Sequence, residues 1–437
     1  MKIAMIGGGY VGLVSGACFA AFGTEVAVVE SDPARLSALR EGRIPIYEPG
    51  LTDLVAEGVS KGFLSFGDDL RAAVQGADAV FIAVGTPTRR GDGHADLSYV
   101  YAAAEQVAKC VSGYTVIVTK STVPVGTGRR IASIIQHVAP GAEVDVASNP
   151  EFLREGSAIR DFMQPDRVVI GCTSPRAKAT LGQLYSPLAI QPDRILYTGV
   201  ETAELIKYAA NSFLAMKVTF INEMADLCEK LGANVQEVSH AIGLDARIGP
   251  RFLQPGPGFG GSCFPKDTLA LVRIAQEAGA PSRLVEAVVA VNDARKASMS
   301  ARVIAACGGT VRGKSIAVLG LTFKPDTDDM RDSPAIPIVA RLVEDGATVR
   351  VFDPQGMEQA RPLLPTGTIY ASSTEAAVEG ADAVVVVTEW DVFRALTPSA
   401  MRRIMAGNIV VDLRNIFEPS GMSGVGFAYH GIGVTPR

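Results

Sequence analysis

Cys263 lies within Gly256-Pro257-Gly258-Phe259-Gly260-Gly261-Ser262-Cys263-Phe264-Pro265-Lys266-Asp267, where glycines keep side-chain bulk away from a single thiol. Pro265 is placed to open a helix just downstream. A helix N-terminus and a neighbouring Lys266 both favour the thiolate, the nucleophilic form of cysteine. The plainer reading is a small buried thiol in a glycine-rich turn, since unpaired cysteine is among the most buried residue types. A second group of interest is Lys207 with Asn211, four residues on and therefore on one helical face, amid Tyr208, Ala209 and Ala210. A lysine in so apolar a turn either snorkels to the surface or is kept for its charge.

These groups need elements to position them, and the first is at the start of the chain. Residues 2–6 read as a buried strand, Gly7-Gly8-Gly9-Tyr10-Val11-Gly12 as a tight turn, 11–22 as an apolar helix and 25–30 as a second strand. Gly7, Gly9 and Gly12 thus fit G-x-G-x-x-G in the strand–turn–helix setting that gives the pattern meaning, with Tyr10 and Val11 in the turn. There the backbone approaches a pyrophosphate and the helix N-terminus faces its charge. Glu30, ending the second strand, suits a ribose hydroxyl and repels a 2′-phosphate, so NAD is favoured over NADP. Arg35 nearby is the one feature that points the other way. The uncharged run 3–23 after Met1-Lys2 also resembles a signal peptide or membrane stretch, but its glycine triplet suits a strand–turn–helix better than an insertion helix.

Further strands are expected at 79–84, 115–119, 143–147 and 167–171, with helices at 97–110 and 126–138. This alternation predicts an α/β fold with a parallel, doubly wound sheet, whose ligands bind beyond the carboxyl ends of the strands. Three such ends carry Thr86, Thr122 and the segment Asn149-Pro150-Glu151-Phe152-Leu153-Arg154-Glu155, although turn chemistry alone would also favour these residue types. Residues 201–231 lack Gly and Pro and predict one helix of roughly 45 Å, with 282–300 as a second helix beside it. The last third repeats the first: 314–320 parallels 1–7, 346–354 parallels 23–30, and Gly380-Ala381-Asp382-Ala383-Val384 echoes Gly76-Ala77-Asp78-Ala79-Val80. Two Rossmann-like doubly wound domains, 1–199 and 301–437, are therefore expected to be joined by a long central helix and a small α-helical middle domain, 200–300. In the second domain Lys324 stands in the first turn and offers charge to an anion. The loop 326–332 reads as solvated, and the tail after Pro419 as poorly ordered.

The 437 residues carry a net charge of −5, with 48% hydrophobic and 20% charged residues, which excludes neither small ligands nor a large core but disfavours nucleic acid and anionic membrane surfaces. Six scattered cysteines without CxxC spacing indicate neither a disulfide framework nor a metal site and suit a reducing cytoplasm.

The motifs at 7–12, Tyr47-Glu48-Pro49-Gly50-Leu51, 150–156, 207–211, 256–267 and 320–335, in that order, resemble those of the nucleotide-sugar dehydrogenases, the UDP-glucose/GDP-mannose dehydrogenase family. The resemblance covers nearly the whole chain. Ser262 before Cys263, with the Pro257-Gly258-Phe259 and Phe264 pattern, is similar to the branch acting on UDP-glucose; relatives acting on UDP-N-acetylmannosamine carry His before the nucleophile. It implies oxidation of a sugar C6 alcohol to a carboxylate with two NAD⁺, through a thiohemiacetal and a thioester on Cys263. GDP-mannose oxidation and a non-catalytic NAD or nucleotide-sugar sensor are the alternatives. The intact set Cys263, Lys207, Asn211 and Asp267 speaks against a sensor.

By the same resemblance, Lys207 and Asn211 stabilise an oxyanion, Asp267 helps activate water, Thr122 and Glu155 hold water and relay protons, and Glu151 supports the lysine. Phe152, Leu153, Arg154, Phe252, Leu253, Gln254, Pro255, Gly256, Gly260 and Lys324 are expected to line the UDP-sugar site, with Glu151, Glu155, Lys207 and Asn211. Val11, Glu30, Arg35, Thr86, Thr122, Glu155, Lys266 and Arg331 are expected along NAD. Arg247 resembles an arginine that reaches the sugar of a neighbouring subunit, which implies a homodimer or higher homo-oligomer. Arg154 stands where relatives often carry Ala, so its side chain has no role implied.

Overall fold

The computed structural model describes residues 1–89, 93–188 and 192–434. Its chain gathers into two units, Met1–Ala210 with Arg273–Ala280, and Asn211–Val272 with Pro281–Arg437. The division falls inside the helices Val200–Leu231 and Phe264–Glu277, so the helices of the middle of the chain are shared out between the units.

The first unit holds β1 (Lys2–Ile6), β2 (Glu25–Val29), β3 (Leu64–Gly67), β4 (Ala79–Ile82), β5 (Thr115–Thr119), β6 (Val144–Ser148), β7 (Val168–Gly171) and β8 (Ile195–Thr198). They form one sheet in the order β3-β2-β1-β4-β5-β6-β7-β8, reversing direction of growth between β1 and β4 as a doubly wound dinucleotide fold does. Alternate residues of β1 go to opposite faces: Ile3 and Met5 join a core around Phe19, whereas Ala4 and Ile6 join another around Ile82 and Ile117. Phe19 meets Phe162 edge-on at 4.9 Å, an aromatic arrangement with favourable quadrupole contact. The uncharged N-terminal run is the strand, the turn and the helix Tyr10–Ala21. Among the described residues no helix is long and apolar enough to cross a membrane.

The expectation of a parallel sheet needs one correction. β6 and β7 pair antiparallel, through Ser148 and Gly171. The link between them, residues 149–167 with the short helix Ala158–Met163, brings β7 in beside β6 in the opposite direction.

The second unit repeats the design with β9 (Ser315–Leu319), β10 (Thr348–Phe352), β11 (Ile369–Tyr370), β12 (Ala383–Val386), β13 (Ile409–Asp412) and β14 (Ala428–Gly431), in the order β11-β10-β9-β12-β13-β14. Again Ile316 and Val318 face one core and Ala317 and Leu319 the other. One expectation fails here and another holds only in part. The tail after Pro419 is ordered through residue 434, forming the helix Pro419–Gly424 and then β14, which pairs in parallel with β13 and buries Met422 and Tyr429. The 326–332 loop is solvated only in part: Thr327, Asp329 and Met330 are below one-tenth exposed, whereas Asp326, Arg331 and Asp332 are exposed.

Candidate active site

The turn after β1 tests the dinucleotide reading atom by atom. Gly7 has φ of +106°, and a Cβ there would lie 2.7 Å from the Ala83 carbonyl oxygen. A Cβ on Gly12 would lie 2.0 Å from the oxygen of Gly7, so this glycine lets the helix close on the turn. Gly9 is different: no protein atom stands within 4 Å of an added Cβ. The open side of the turn is thus at the middle glycine, at the N-terminus of the 12-residue helix Tyr10–Ala21, where a pyrophosphate fits. Glu30 is 4% exposed and is held by the amides of Gly8, at 3.1 Å, and Asp32, at 2.8 Å. Arg35 reaches its carboxylate at 3.2 Å. The arginine's charge is therefore committed to the Glu30 carboxylate. Beside Glu30 an open pocket of about 280 Å³ is rimmed by Glu41 and Asp68 as well as Arg40, an acidic surround ill-suited to a 2′-phosphate.

The matching acid of the second unit, Asp353, has another occupation. Its Oδ2 accepts from the amides of Leu321 and Thr322 at 2.7 and 3.0 Å, from the Thr322 hydroxyl and from the Trp390 indole, and its Oδ1 accepts from the amides of Gln355 and Gly356. With six donors on two oxygens it holds the turn after β9 and has nothing left for a ribose. Lys324 lies in that turn, with its ammonium 5.3 Å from the Phe323 ring.

In the first unit the strand-end residues converge. Glu151 and Lys207 form an ion pair at 3.0 Å with side chains 6% and 4% exposed. The Leu153 amide also donates to Glu151, and the Phe152 ring lies 5.4 Å from the lysine ammonium and 3.7 Å from the Arg167 guanidinium. The Thr86 hydroxyl donates to the Thr122 carbonyl at 3.0 Å. Glu48, from the Tyr-Glu-Pro-Gly-Leu motif, accepts from the amides of Gly156 and Ala158 at 2.7 and 2.8 Å and from the Tyr10 hydroxyl. Burial and then Glu48 raise the Tyr10 phenol well above its ordinary range, so it stays a donor. One buried carboxylate thereby ties the cofactor turn to the loop that bears Glu155. Arg154 is spent on Asp161, which receives its amide and two guanidinium nitrogens.

In the second unit Cys263 accepts the first helical hydrogen bond, from Asp267 N at 2.8 Å, and so stands at the N-cap of the helix Phe264–Glu277. Its sulfur is half-buried, 3.4 Å from the Ser262 hydroxyl. Burial pushes the Cys18 thiol up to about 12 and also raises Cys172, Cys228 and Cys307, which leaves them poor nucleophiles. Asp267 is 1% exposed; its Oδ2 accepts from the Asn211 amide and its Oδ1 from the Lys266 ammonium, each at 2.6 Å. The structure places the Lys266 charge on Asp267. Arg331 is paired with Asp329, at 2.7 Å, and Arg247 with Asp245, where its side chain is 89% exposed.

The glycine stretch is pinned rather than flexible. Gly256 donates to Asn222 at 2.8 Å and its carbonyl accepts from Arg295 at 2.6 Å; Asn292 bonds both the amide and the carbonyl of Phe259; the Gly261 amide donates to the Arg331 carbonyl. Phe252 has φ of +65° and its ring lies 5.9 Å from that of Phe264. Pro255 is buried and Gln254 exposed. The Leu253 side chain, 2% exposed, belongs to the core around Val235 and Met299, so only its backbone is available to a ligand.

Asn222, Asn292, Arg295, Lys120 and Glu204 escaped the sequence reading. Asparagine inside a helix is disfavoured unless its amide is used elsewhere, and that was the available signal for Asn222 and Asn292. Lys120 gave none. It is fully enclosed by Asn149, at 2.9 Å, and Tyr185, at 3.2 Å, and burial lowers its ammonium to about 8.

Comparison with known proteins agrees along the chain. Profiles of the UDP-glucose/GDP-mannose dehydrogenase family match its NAD binding domain at residues 1–189, its central domain at 201–294 and its UDP binding domain at 317–419. A UDP-glucose 6-dehydrogenase of Rhizobium meliloti is 58% identical over 435 residues, 99% of each chain. One of Bacillus subtilis is 45% identical over 433 residues, 99% of this chain and 93% of that one. The solved UDP-glucose dehydrogenase of Pyrobaculum islandicum superposes with a TM-score of 0.91 at 39% identity, over 99% of this chain and 98% of the other.

Proposed function

The chain belongs to the UDP-glucose/GDP-mannose dehydrogenase family, and from that membership we propose that it oxidises UDP-glucose at C6 to UDP-glucuronate with NAD through a covalent cysteine intermediate. When bound, NAD⁺ takes up one hydride in each of two rounds. In the first round the C6 hydroxyl gives its proton through water held by Thr122 and Glu155. The Lys207 ammonium and the second N–H of the Asn211 amide stabilise the developing alkoxide. The Cys263 thiolate then adds to the aldehyde carbon, making a C–S bond and an alkoxide. Loss of the second hydride leaves a thioester. Water, polarised by Asp267, attacks it, the C–S bond breaks, and the thiolate returns with a carboxylate as product. Asp267 carries this reading: a carboxylate sealed from solvent, clasped by Asn211 and Lys266, one turn into the helix that Cys263 caps. A structural carboxylate needs no thiol there.

Three functional segments, 1–199, 200–300 and 301–437, divide the work between cofactor, assembly and UDP-sugar. Phe252, Gln254, Pro255, Gly256, Gly260 and Lys324 serve the nucleotide sugar, and Val11, Glu30, Thr86 and Arg331 the cofactor. The protein acts as a homodimer in the cytoplasm. Support for the dimer comes from Phe213, Phe220 and Leu227, seven residues apart on one helical face and 60%, 44% and 47% exposed, and from the outward Arg247. Six cysteines without a disulfide among the described residues fit a reducing compartment.

The test is to supply UDP-glucose and GDP-mannose with NAD⁺ and count NADH. Two NADH per UDP-glucose is the expected result; turnover with GDP-mannose alone would overturn the substrate. Cys263→Ser should slow uronate release roughly 10³-fold or more, and normal glucuronate formation by it would remove covalent catalysis.

A further inference from the structure

We propose that Glu204 is a positioning residue for the oxidation, fastening the loop that carries Thr122 to the helix that carries Lys207. The proposal rests on the roles assigned above to those two residues. Glu204, Lys207 and Asn211 follow one another on a single face of the helix Val200–Leu231, and all three are buried, at 2%, 3% and 6% exposure. Only the last two have work in the chemistry.

The Glu204 carboxylate reaches across to the loop between β5 and the helix Thr127–Val138. Its Oε2 accepts from the Gly126 amide at 2.6 Å and its Oε1 from the Gly128 amide at 2.7 Å. Gly126 takes φ of +94°, and a Cβ on Gly128 would lie 2.4 Å from Val200, so loop and helix are pressed together at this point. The near end of the same loop is tied to the end of β4: Ser121 donates to the Val84 carbonyl at 2.6 Å and Thr86 to that of Thr122 at 3.0 Å. Thr122 is thus held between a strand end on one side and the lysine helix on the other. An error of an ångström in such placement is enough to slow a reaction by about 10²-fold.

Two amide donors need an acceptor on each oxygen; the carboxylate provides two equal ones, whereas in the protonated acid one oxygen carries the proton and accepts far more weakly. Around it lie Glu201 and Arg129, themselves ion-paired at 2.6 Å, Arg130 and Tyr101 from the loop side, and Lys207 one turn on. Burial raises the acid to about 7, against the lowering effect of the two amides and of Arg129. The fastening is therefore complete above pH 7 and loosens as the pH falls through that value.

The experiment measures kcat from pH 5.5 to 9 at saturating UDP-glucose and NAD⁺ for the full-length protein, Glu204→Gln and Glu204→Asp. Glutamine keeps the shape but turns an NH₂ toward one of the amides. We expect kcat of the parent to rise near pH 7, and Glu204→Gln to lose about tenfold or more in kcat at pH 8.5, with KM for UDP-glucose held within about twofold, and to lack that rise. Glu204→Asp should keep that rise at a lower plateau. A Glu204→Gln protein with parental kcat, or with the rise intact, overturns the proposal. Deuterium uptake of the 121–128 segment, corrected for the intrinsic pH dependence of exchange, needs no substrate and no variant: uptake in the parent should grow between pH 8 and 6, and constancy overturns the fastening. Increased uptake in Glu204→Gln with unaltered kcat would instead remove Thr122 from the chemistry, so the two failures are told apart.

Discussion

Lys207 and Glu151 are charged, adjacent and almost wholly out of water, so neither tolerates loss of the other. Breaking such a pair leaves an uncompensated buried charge, which is far more damaging than replacing both partners. Lys207→Met should therefore destabilise the protein by about 3–5 kcal/mol in urea unfolding. Adding Glu151→Gln should recover much of that stability while NADH production stays low. Recovery of activity along with stability would mean that the lysine serves the fold alone. The contrast with Lys120 is instructive, because its partners Asn149 and Tyr185 are neutral and its ammonium is pushed down to about 8. Two buried lysines thus differ in what the fold asks of them: charge at Lys207, hydrogen bonds at Lys120. Spacing in the sequence singled out the first, since it shares a helical face with Asn211. Nothing about the second distinguishes it from a surface lysine after a strand.

At the scale of elements, the two glycine turns make opposite demands. A Cβ on Gly260 would stand 2.4 Å from the Asp332 carbonyl oxygen and 2.9 Å from its carbon, backbone atoms that cannot swing aside. Gly260→Ala should therefore destabilise the protein by about 1–3 kcal/mol and raise KM for UDP-glucose. Gly9→Ala meets no protein atom within 4 Å, so its melting temperature should stay at the parental value while KM for NAD rises. A fall in melting temperature for Gly9→Ala would contradict the open cradle. Burial of the Glu204 carboxylate also has a global thermodynamic signature, opposite in sign to the local fastening, because unfolding returns the charge to water whereas local loosening leaves it buried without its two amides. Its folded pKa, about 7, lies above the 4.5 of a solvated glutamate, so its contribution to stability is fully present below about pH 4.5 and is lost as pH rises through 7. Glutamine has no such dependence. The stability of Glu204→Gln relative to the parent should thus grow by roughly 3 kcal/mol between pH 4.5 and 8, read by denaturant unfolding at each pH. A constant difference would rule this out. The longest helices and the inner strands except β13 were legible because their apolar periodicity is strong. β3, β8, β11 and β14 were not, being two to four residues long and partly exposed, so that pairing with a neighbour rather than local pattern makes them strands.

For the whole molecule the proposed dimer gives the sharpest test. Phe213, Phe220 and Leu227 form an exposed apolar line on the Val200–Leu231 helix, and a second copy of the chain is the partner that would cover it. Phe220→Lys should shift the sedimentation coefficient from dimer to monomer. A parental protein that already sediments as a monomer at micromolar concentration would end the proposal.

Residue order alone determined the paired βαβ designs and the dinucleotide turn, and it singled out Glu30 after the second strand and the thiol, lysine and asparagine on which the proposed chemistry rests. Each is a local pattern, set by periodicity of 2 or 3.6 or by turn chemistry within a few residues. Tertiary structure decided how the groups are used. Only folding brings Glu48 from one loop onto Tyr10 and Gly156, Asn292 onto Phe259 across 33 residues, and Glu204 onto amides 76 and 78 residues away. It also separates two acids that look alike in sequence, leaving Glu30 at a cofactor turn and saturating Asp353 with six internal donors. Hydrogen bonds between segments far apart in the chain leave no mark in local composition, because the donor is usually a backbone amide that every residue but proline carries.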